Sequence, residues 1–283
     1  MNYWLYLNEM PEEQLVDIAR LAERAGFRGV ALADHIAVPT AFDASRHPSG
    51  NAPFDHRSSF PDPLVTAATI LASTERLEVM SYVYILPMRE PFSVAKQVAT
   101  LARLSGNRFR FGVGAGWMLE EIELLGHPVR GRGRRMDEML SVMRAFWRDE
   151  ATEFHGEFFD FAPAGMAPRP TADVPVWVGG KSDAALSRAA RHEGWLGMNY
   201  DLEEIHERLE RLATLRTDSD EVEPFTVFVI PNAEPTPALA ADLAARGVTD
   251  TMGFAFPVGD PAFESIDAKG EALERFADAF IRG

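Results

Sequence analysis

VPVWVGGKSDAALSRAARHEGW, residues 174–195, is a short apolar run that enters Gly179-Gly180-Lys181-Ser182 and leaves as an alanine-rich amphipathic segment. It reads as a strand, a turn and a helix. The two glycines let backbone approach a ligand closely, Ser182 is placed to cap the helix, and the free N–H groups of a first helical turn suit an anionic group. The same stretch also reads as ordinary βα punctuation with no ligand. It is not an NTPase loop, because a Walker motif needs glycine where Pro175 stands.

Working outward, apolar runs with strand character recur at 3–7, 29–33, 77–86, 109–114, 174–178, 195–198, 225–230 and 251–256. Helical patterns alternate with them at 11–25, 62–73, 91–104, 135–148, 182–192, 202–215, 237–245 and 272–281. Pro11, Pro91 and Pro237 mark helix starts, and Gly26, Gly106 and Gly247 mark ends. Eight strands alternating with eight helices predict an α/β fold, most economically a closed parallel (β/α)8 TIM barrel. A doubly wound open sheet is the alternative. It wants a Gly-x-Gly-x-x-Gly turn after its first strand, where this chain has Asn8-Glu9-Met10-Pro11.

One barrel domain over 1–283 is therefore expected, with two insertions. Residues 36–61, rich in Pro, His, Ser and Phe, form a long loop after strand two, and 152–171, containing TEFHGEFFDF, predicts a β-hairpin turning at Gly156 before strand five. Long loops in a compact barrel are functional lids or disordered segments.

The 283 residues suit a single α/β barrel, which takes about 250. With no cysteine, disulfides, thiolate nucleophiles and Cys-ligated metal sites are excluded. The N-terminus has no basic segment followed by a long apolar one, and no run of about 18 apolar residues occurs, so a cytoplasmic protein is expected. A formal charge of −15 argues against nucleic acid or an anionic membrane as partner. Any anionic ligand has to be held locally, at the helix start near Ser182 or by the basic run Arg130-Gly-Arg132-Gly-Arg134-Arg135, which also reads as a solvated helix start.

A TIM barrel carries its site at the C-terminal strand ends. Those positions hold Asn8, Asp34-His35, the SYVYILP stretch at 81–87, Gly114-Ala115-Gly116-Trp117, Gly179-Gly180, Asn199-Tyr200, Pro231 and Phe256. A mouth of glycine, aromatic and aliphatic groups with one Asp-His pair suits a flat aromatic cofactor carrying a phosphate, hence redox chemistry. Asp34 and His35 are the catalytic candidates, His35 moving a proton near neutral pH while adjacent residues fix its orientation. The pair also reads as a structural strand cap. A metal site from His35, His47, Asp55 and His56 is a weaker rival, because no metal-ligand spacing links them; it would make the protein a metal-assisted barrel lyase or isomerase. Gly112-Val-Gly114-Ala-Gly116-Trp117 is not a dinucleotide fingerprint, and its glycines let a bulky ring lie against the mouth. Glu120 and Glu121 either face the pocket or simply begin a helix.

These pieces occur in the order found in the luciferase-like flavin and deazaflavin oxidoreductases, which the chain resembles over nearly its whole length. The resemblance rests on the Asp34-His35 pair, ILPMREPFSVAKQVATLARLSGNR at 85–108, FGVGAGWMLEEIELLG at 111–126, RGRGRRMDEMLSVMRAFW at 130–147, FHGEFFDF at 154–161 and the opening stretch. It implies an α/β barrel that binds coenzyme F420 or FMN, with Gly179, Gly180 and Ser182 at the cofactor phosphate. It also implies a non-prolyl cis peptide near Ser81-Tyr82, in a bulge spanning Ser81, Tyr82, Val83 and Tyr84 that lies behind the ring, and Gly116 beside it.

Asp-His after strand two resembles the deazaflavin branch, so F420 is the expected cofactor and hydride transfer to or from a small organic substrate the expected reaction. An FMN-dependent monooxygenase using oxygen is the alternative. The family's sugar-phosphate dehydrogenases place a glutamate where this chain has Trp117, so Trp117 is expected to wall an apolar or planar substrate, with Glu120 a second candidate acid. The acidic tail of F420 would fall to Arg132, Arg134, Arg135 or Lys181. A homodimer is expected by analogy with relatives.

Overall fold

Trp4, Ala31, Met80, Tyr82, Trp177, Leu196, Phe228, Ile230 and Met252 come from seven stretches of the chain and meet in one buried cluster, the filled interior of a barrel. In the computed structural model, which describes residues 1–217 and 224–283, the elements run β1 (Asn2–Tyr6), α1 (Leu15–Ala25), β2 (Gly29–Leu32), α2 (Pro63–Ser73), β3 (Glu78–Ser81), β4 (Tyr84–Ile85), α3 (Pro91–Ser105) and β5 (Phe109–Gly114). Then come α4 (Leu119–Leu124), α5 (Arg132–Arg148), β6 (Thr152–His155), β7 (Asp160–Ala164), β8 (Val176–Gly179), α6 (Asp183–Ala189), β9 (Gly194–Tyr200), α7 (Leu202–Thr217), β10 (Thr226–Pro231), α8 (Pro237–Ala245), β11 (Asp250–Met252) and α9 (Ile266–Phe280).

The main sheet has nine strands in the order β3-β2-β1-β11-β10-β9-β8-β5-β4, and a further β3–β5 pairing closes it. Because β3 and β4 both lie on β5 and are separated only by Tyr82-Val83, they form one interrupted stave, which makes eight staves. Every pairing in this sheet is parallel; Trp4, for example, faces Gly29 on one side and Met252 on the other. β6 and β7 form a separate antiparallel hairpin within the expected insertion.

Local signals explain the element ends. In α1, buried Leu15, Ile18, Ala19, Ala22 and Ala25 follow helical spacing, and Gly26 closes it in the left-handed region at φ 96°, its N–H reaching Ala22 O and Glu23 O. The expected start at Pro11 is a single 3-10 turn, Glu12–Gln14, before the α-helix proper. Asp62 caps α2 by accepting from Leu64 and Val65 N–H, and Glu90 caps α3 through Phe92 and Ser93 N–H.

Elsewhere several elements start or stop at residues other than those the sequence reading gave. Strand eight ends at Met252 rather than 256, α5 begins three residues before Arg135, and α9 begins at Ile266, where Ser265 supplies a cap from its side chain to Ala268 N–H. A short extra helix, α4, follows β5.

The N-terminal end of the barrel is plugged by charge. Fully buried Asp250 accepts from Trp4 Nε1 at 2.7 Å and Arg28 Nη1 at 2.8 Å, while Arg28 Nε and Arg110 Nε both donate to Glu78. The Arg28 guanidinium also lies 5.5 Å from the Trp4 ring and 5.6 Å from that of Trp177. With this end closed, access to the interior is left to the opposite end, where the strands finish. No helix among the described residues is long and apolar enough to cross a membrane.

Candidate active site

The end of β2 delivers Asp34 and His35 to different partners. Asp34 is buried, and both its oxygens are engaged: Arg89 Nη1 and Nη2 donate at 2.7 Å each, and Ile85 N–H donates at 2.8 Å. A bidentate guanidinium pair is a strong, oriented contact. Burial pushes the Asp34 carboxyl up from its usual range, with the Arg89 charge opposing. This geometry makes Asp34 a tie between β2 and the end of β4, with no oxygen left over for proton transfer.

His35 turns the other way. Its Nδ1 lies 2.6 Å from Glu121 Oε2, and its ring packs against Phe60 at 4.8 Å, Phe54 at 5.0 Å and Trp117 at 6.0 Å between centroids. Glu121, on α4, is buried and also accepts from Ile36 and Ala37 N–H. The sequence reading left Glu121 open. Adjacent residues on a helix point about 100° apart, so only one of the two glutamates can face inward, and an element of six residues is too short for periodicity to say which.

The interrupted stave forms a bulge at the mouth. The cis peptide joins Tyr82 and Val83, one residue later than expected. Ser81 Oγ donates to Gly112 O at 2.8 Å and Tyr82 OH donates to Gly197 O at 2.6 Å, so both hydroxyls are spent on neighbouring strands. Val83 fills the space over two glycines: a Cβ at Gly114 would lie 2.6 Å from Val83 Cγ2, and one at Gly179 would lie 2.7 Å from Val83 Cγ1. Tyr84 points to the outer core, under the Arg89 guanidinium at 4.1 Å. Gly116 is in the left-handed region at φ 84°, and a Cβ there would meet Ile85 at 2.8 Å, so backbone and packing both account for glycine.

Loop 36–61 folds over this mouth through aromatic contacts. Phe42, His47 and Phe54 lie 5.9, 5.0 and 6.1 Å from the Trp117 ring. Burial, and then the nearby His35, lower the His47 pKa, which favours an uncharged ring in this apolar setting. Glu120 keeps one buried oxygen, Oε2, without a hydrogen-bond partner among the described residues. It latches the loop, accepting from Arg46 Nη1 at 2.8 Å and Asp43 N–H at 3.3 Å. The loop's other expected metal ligands do not gather: Asp55 pairs with Arg57 at 2.6 Å and His47 faces Ser49. Among the described residues, no group of three or more His, Asp or Glu is placed to hold a metal.

The opening stretch forms the far side of the mouth. Ser182 caps α6 by accepting from Ala185 N–H, and Gly180, at φ 131°, accepts from Trp195 Nε1 at 2.9 Å. Lys181 reaches across to Pro48 O at 3.5 Å. Between them lies a cavity of about 400 Å³ lined by Pro48, Ser49, Gly50, Lys181, Asn199, Glu204 and Asn232. The arginines expected to receive an acidic tail are committed elsewhere. Arg132 donates to Gly116 O, Arg135 to Pro87 O and Arg89 O, and Arg134 pairs with Glu157. Among the described residues that line this cavity, Lys181 is the one cation.

Comparison with known proteins agrees with this barrel. The profile of the luciferase-like monooxygenase family matches residues 4–278. An uncharacterised protein of Mycobacterium tuberculosis is 37% identical over 270 residues, covering 94% of each chain. The FMNH2-dependent dimethylsulfone monooxygenase of Pseudomonas fluorescens is 29% identical over 185 residues, 64% of this chain and 46% of that one. Among solved structures, the monooxygenase RslO1 of Streptomyces bottropensis superposes with a TM-score of 0.80 at 17% identity, covering 100% of this chain and 99% of that one. The coenzyme F420-dependent tetrahydromethanopterin reductase of Methanopyrus kandleri has a TM-score of 0.74 at 13% identity, covering 99% and 98%. On the match over residues 4–278, the chain belongs to the luciferase-like monooxygenase family, an oxidoreductase group built on the α/β barrel described above.

Proposed function

We propose that the protein transfers hydride between coenzyme F420 and a small organic substrate, with His35 handling the accompanying proton. The observation that carries this reading is the seat of His35: a nearly buried imidazole at the barrel mouth, oriented by Glu121 and walled by Phe54, Phe60 and Trp117. Such a seat is dry and holds one proton-handling group in place.

The residues at the mouth fit a phosphorylated ring cofactor. Val83 rises over Gly114 and Gly179, giving an apolar bulge for a flat ring to rest on. The cavity beside Lys181 offers one ammonium and the amides of Asn199 and Asn232 against a single carboxylate, Glu204, which suits one anionic group. Gly179, Gly180 and Ser182 flank Lys181 along the chain. Bound there, a deazaflavin supplies a carbon centre that exchanges two electrons as hydride and reacts poorly with oxygen.

The chain's own residues do the rest. Asp34 and Arg89 fix the strand ends, the loop held by Glu120 and Arg46 excludes water, and His35 gives or takes the proton.

A second reading, an FMN-dependent monooxygenase, is favoured by the relative whose name specifies FMNH2. Oxygen separates the two. Purified protein mixed with reduced F420 should leave the oxygen level flat, and with reduced FMN it should not raise oxygen loss above the protein-free rate at which reduced FMN itself reacts with oxygen. Oxygen uptake with reduced FMN that depends on the protein and on His35 would overturn the first reading in favour of the second.

A further inference from the structure

His35 has two ring nitrogens, and Glu121 touches one of them. Nδ1 stands 2.6 Å from Glu121 Oε2, with side chains 7% and 1% exposed. The other oxygen, Oε1, accepts from Ile36 N–H at 2.6 Å and Ala37 N–H at 3.0 Å. One carboxylate thus meets the ring and the first two amides of the loop that covers it. An ionised carboxylate only accepts hydrogen bonds. Neutral His35 must then carry its hydrogen on Nδ1, which leaves a lone pair on Nε2. Among the described residues nothing bonds to Nε2, and two of the ring's close neighbours, Phe54 and Phe60, have no polar atom.

We propose that Glu121 is the positioning residue of this site: by fixing the Nδ1–H tautomer it makes His35 Nε2 a proton acceptor, facing a bound molecule that presents an O–H or N–H group. The proton passes from that group to Nε2, and the imidazolium so formed keeps its Nδ1–H on Glu121. This deepens the reading of His35 given above and rests on it for the substrate side, while the tautomer stands on geometry alone.

An isosteric change inverts the arrangement. Glu121→Gln offers one acceptor oxygen and one NH2 group. The amides of Ile36 and Ala37 are fixed donors, and both need the oxygen. The NH2 group is then turned to His35 Nδ1 and donates, which moves the ring hydrogen to Nε2. Wrong-tautomer substitutions of this kind disable a histidine base while leaving its place in the fold intact. Glu120→Gln is the control, because Glu120 holds Arg46 and Asp43 of the same loop without touching His35.

The test is two-bond 1H–15N correlation NMR on histidine-labelled protein at a pH of about 8, above the ordinary imidazole range. His35→Gln assigns the signal. The wild type and Glu120→Gln should show the Nδ1–H pattern, and Glu121→Gln the Nε2–H pattern. An Nε2–H pattern in the wild type, or an unchanged Nδ1–H pattern in Glu121→Gln, overturns the proposal. If Glu121→Gln fails to fold, the wild-type pattern decides by itself. No cofactor enters the experiment, so failure to bind F420 would count against the proposed function and leave this result standing.

Discussion

Val83 and Gly179 make a quantitative test of the bulge at the barrel mouth. A methyl added by Gly179→Ala would sit 2.7 Å from Val83 Cγ1, with Val113 O at 3.5 Å. Comfortable carbon contacts begin near 3.5 Å, so Val83 must retreat by roughly 0.8 Å. Gly179 is not in the left-handed region, and alanine adopts its backbone freely, so the clash is the whole penalty. Overpacking of this kind costs about 1–3 kcal/mol. Val83→Ala removes both methyls that the new carbon would strike. In that background Gly179→Ala should cost almost nothing, giving a coupling energy of about 1–3 kcal/mol across the double-mutant cycle. Urea unfolding of the four proteins, followed by tryptophan fluorescence, measures it through the midpoints at a common slope. Additive costs, agreeing within about 0.5 kcal/mol, would refute the claim that Val83 occupies the space over Gly179.

Three further outcomes follow from the same structure. Asp250→Ala strips the buried acceptor from Trp4 Nε1 and one of two carboxylates from Arg28, which keeps Glu78; the unsatisfied indole N–H should cost about 1–3 kcal/mol in denaturant unfolding, and no measurable loss would contradict the plug. Arg46→Ala breaks a partly exposed pair with Glu120, so stability should fall by no more than about 1 kcal/mol, yet limited proteolysis within 36–61 should speed up several-fold. Equal cleavage rates would mean the latch does not hold the loop. Burial and the neighbouring Arg144 lower the His192 pKa to about 3, so as pH falls the unfolded chain takes up this proton first, near its ordinary value of about 6.5. The His192 contribution is thus complete above that value and is lost progressively toward pH 3. His192→Gln should flatten this part of the stability profile, and an identical slope in both proteins would be the contrary result.

The barrel was legible in the sequence because eight apolar staves and their intervening helices each carry their own periodicity and end signals. The break in the third stave was not, since Ser81, Tyr82, Val83, Tyr84 and Ile85 all read as one buried strand. Its place came through family resemblance and fell one residue away. Within the site, His35 was legible from its position after a strand. What Asp34 and Glu121 do depends on long-range geometry: Arg89 lies 55 residues from Asp34, and Glu121 lies 86 from His35. No local pattern encodes either pairing. The basic run at 130–135 stayed open between two readings for a related reason. Arg132 and Arg135 turn inward to backbone carbonyls at strand and loop ends, a use of arginine that composition cannot distinguish from anion binding.

A deazaflavin in the mouth framed by Val83, His35 and Lys181 is the proposal on which the function rests. Equilibrium titration of the purified protein with F420 and, separately, with FMN tests it most directly, read through the ligand's own fluorescence. Saturable one-to-one binding of F420, at least tenfold tighter than FMN and weakened by Lys181→Ala, is the predicted result. Tight FMN binding with no measurable binding of F420 would contradict the account.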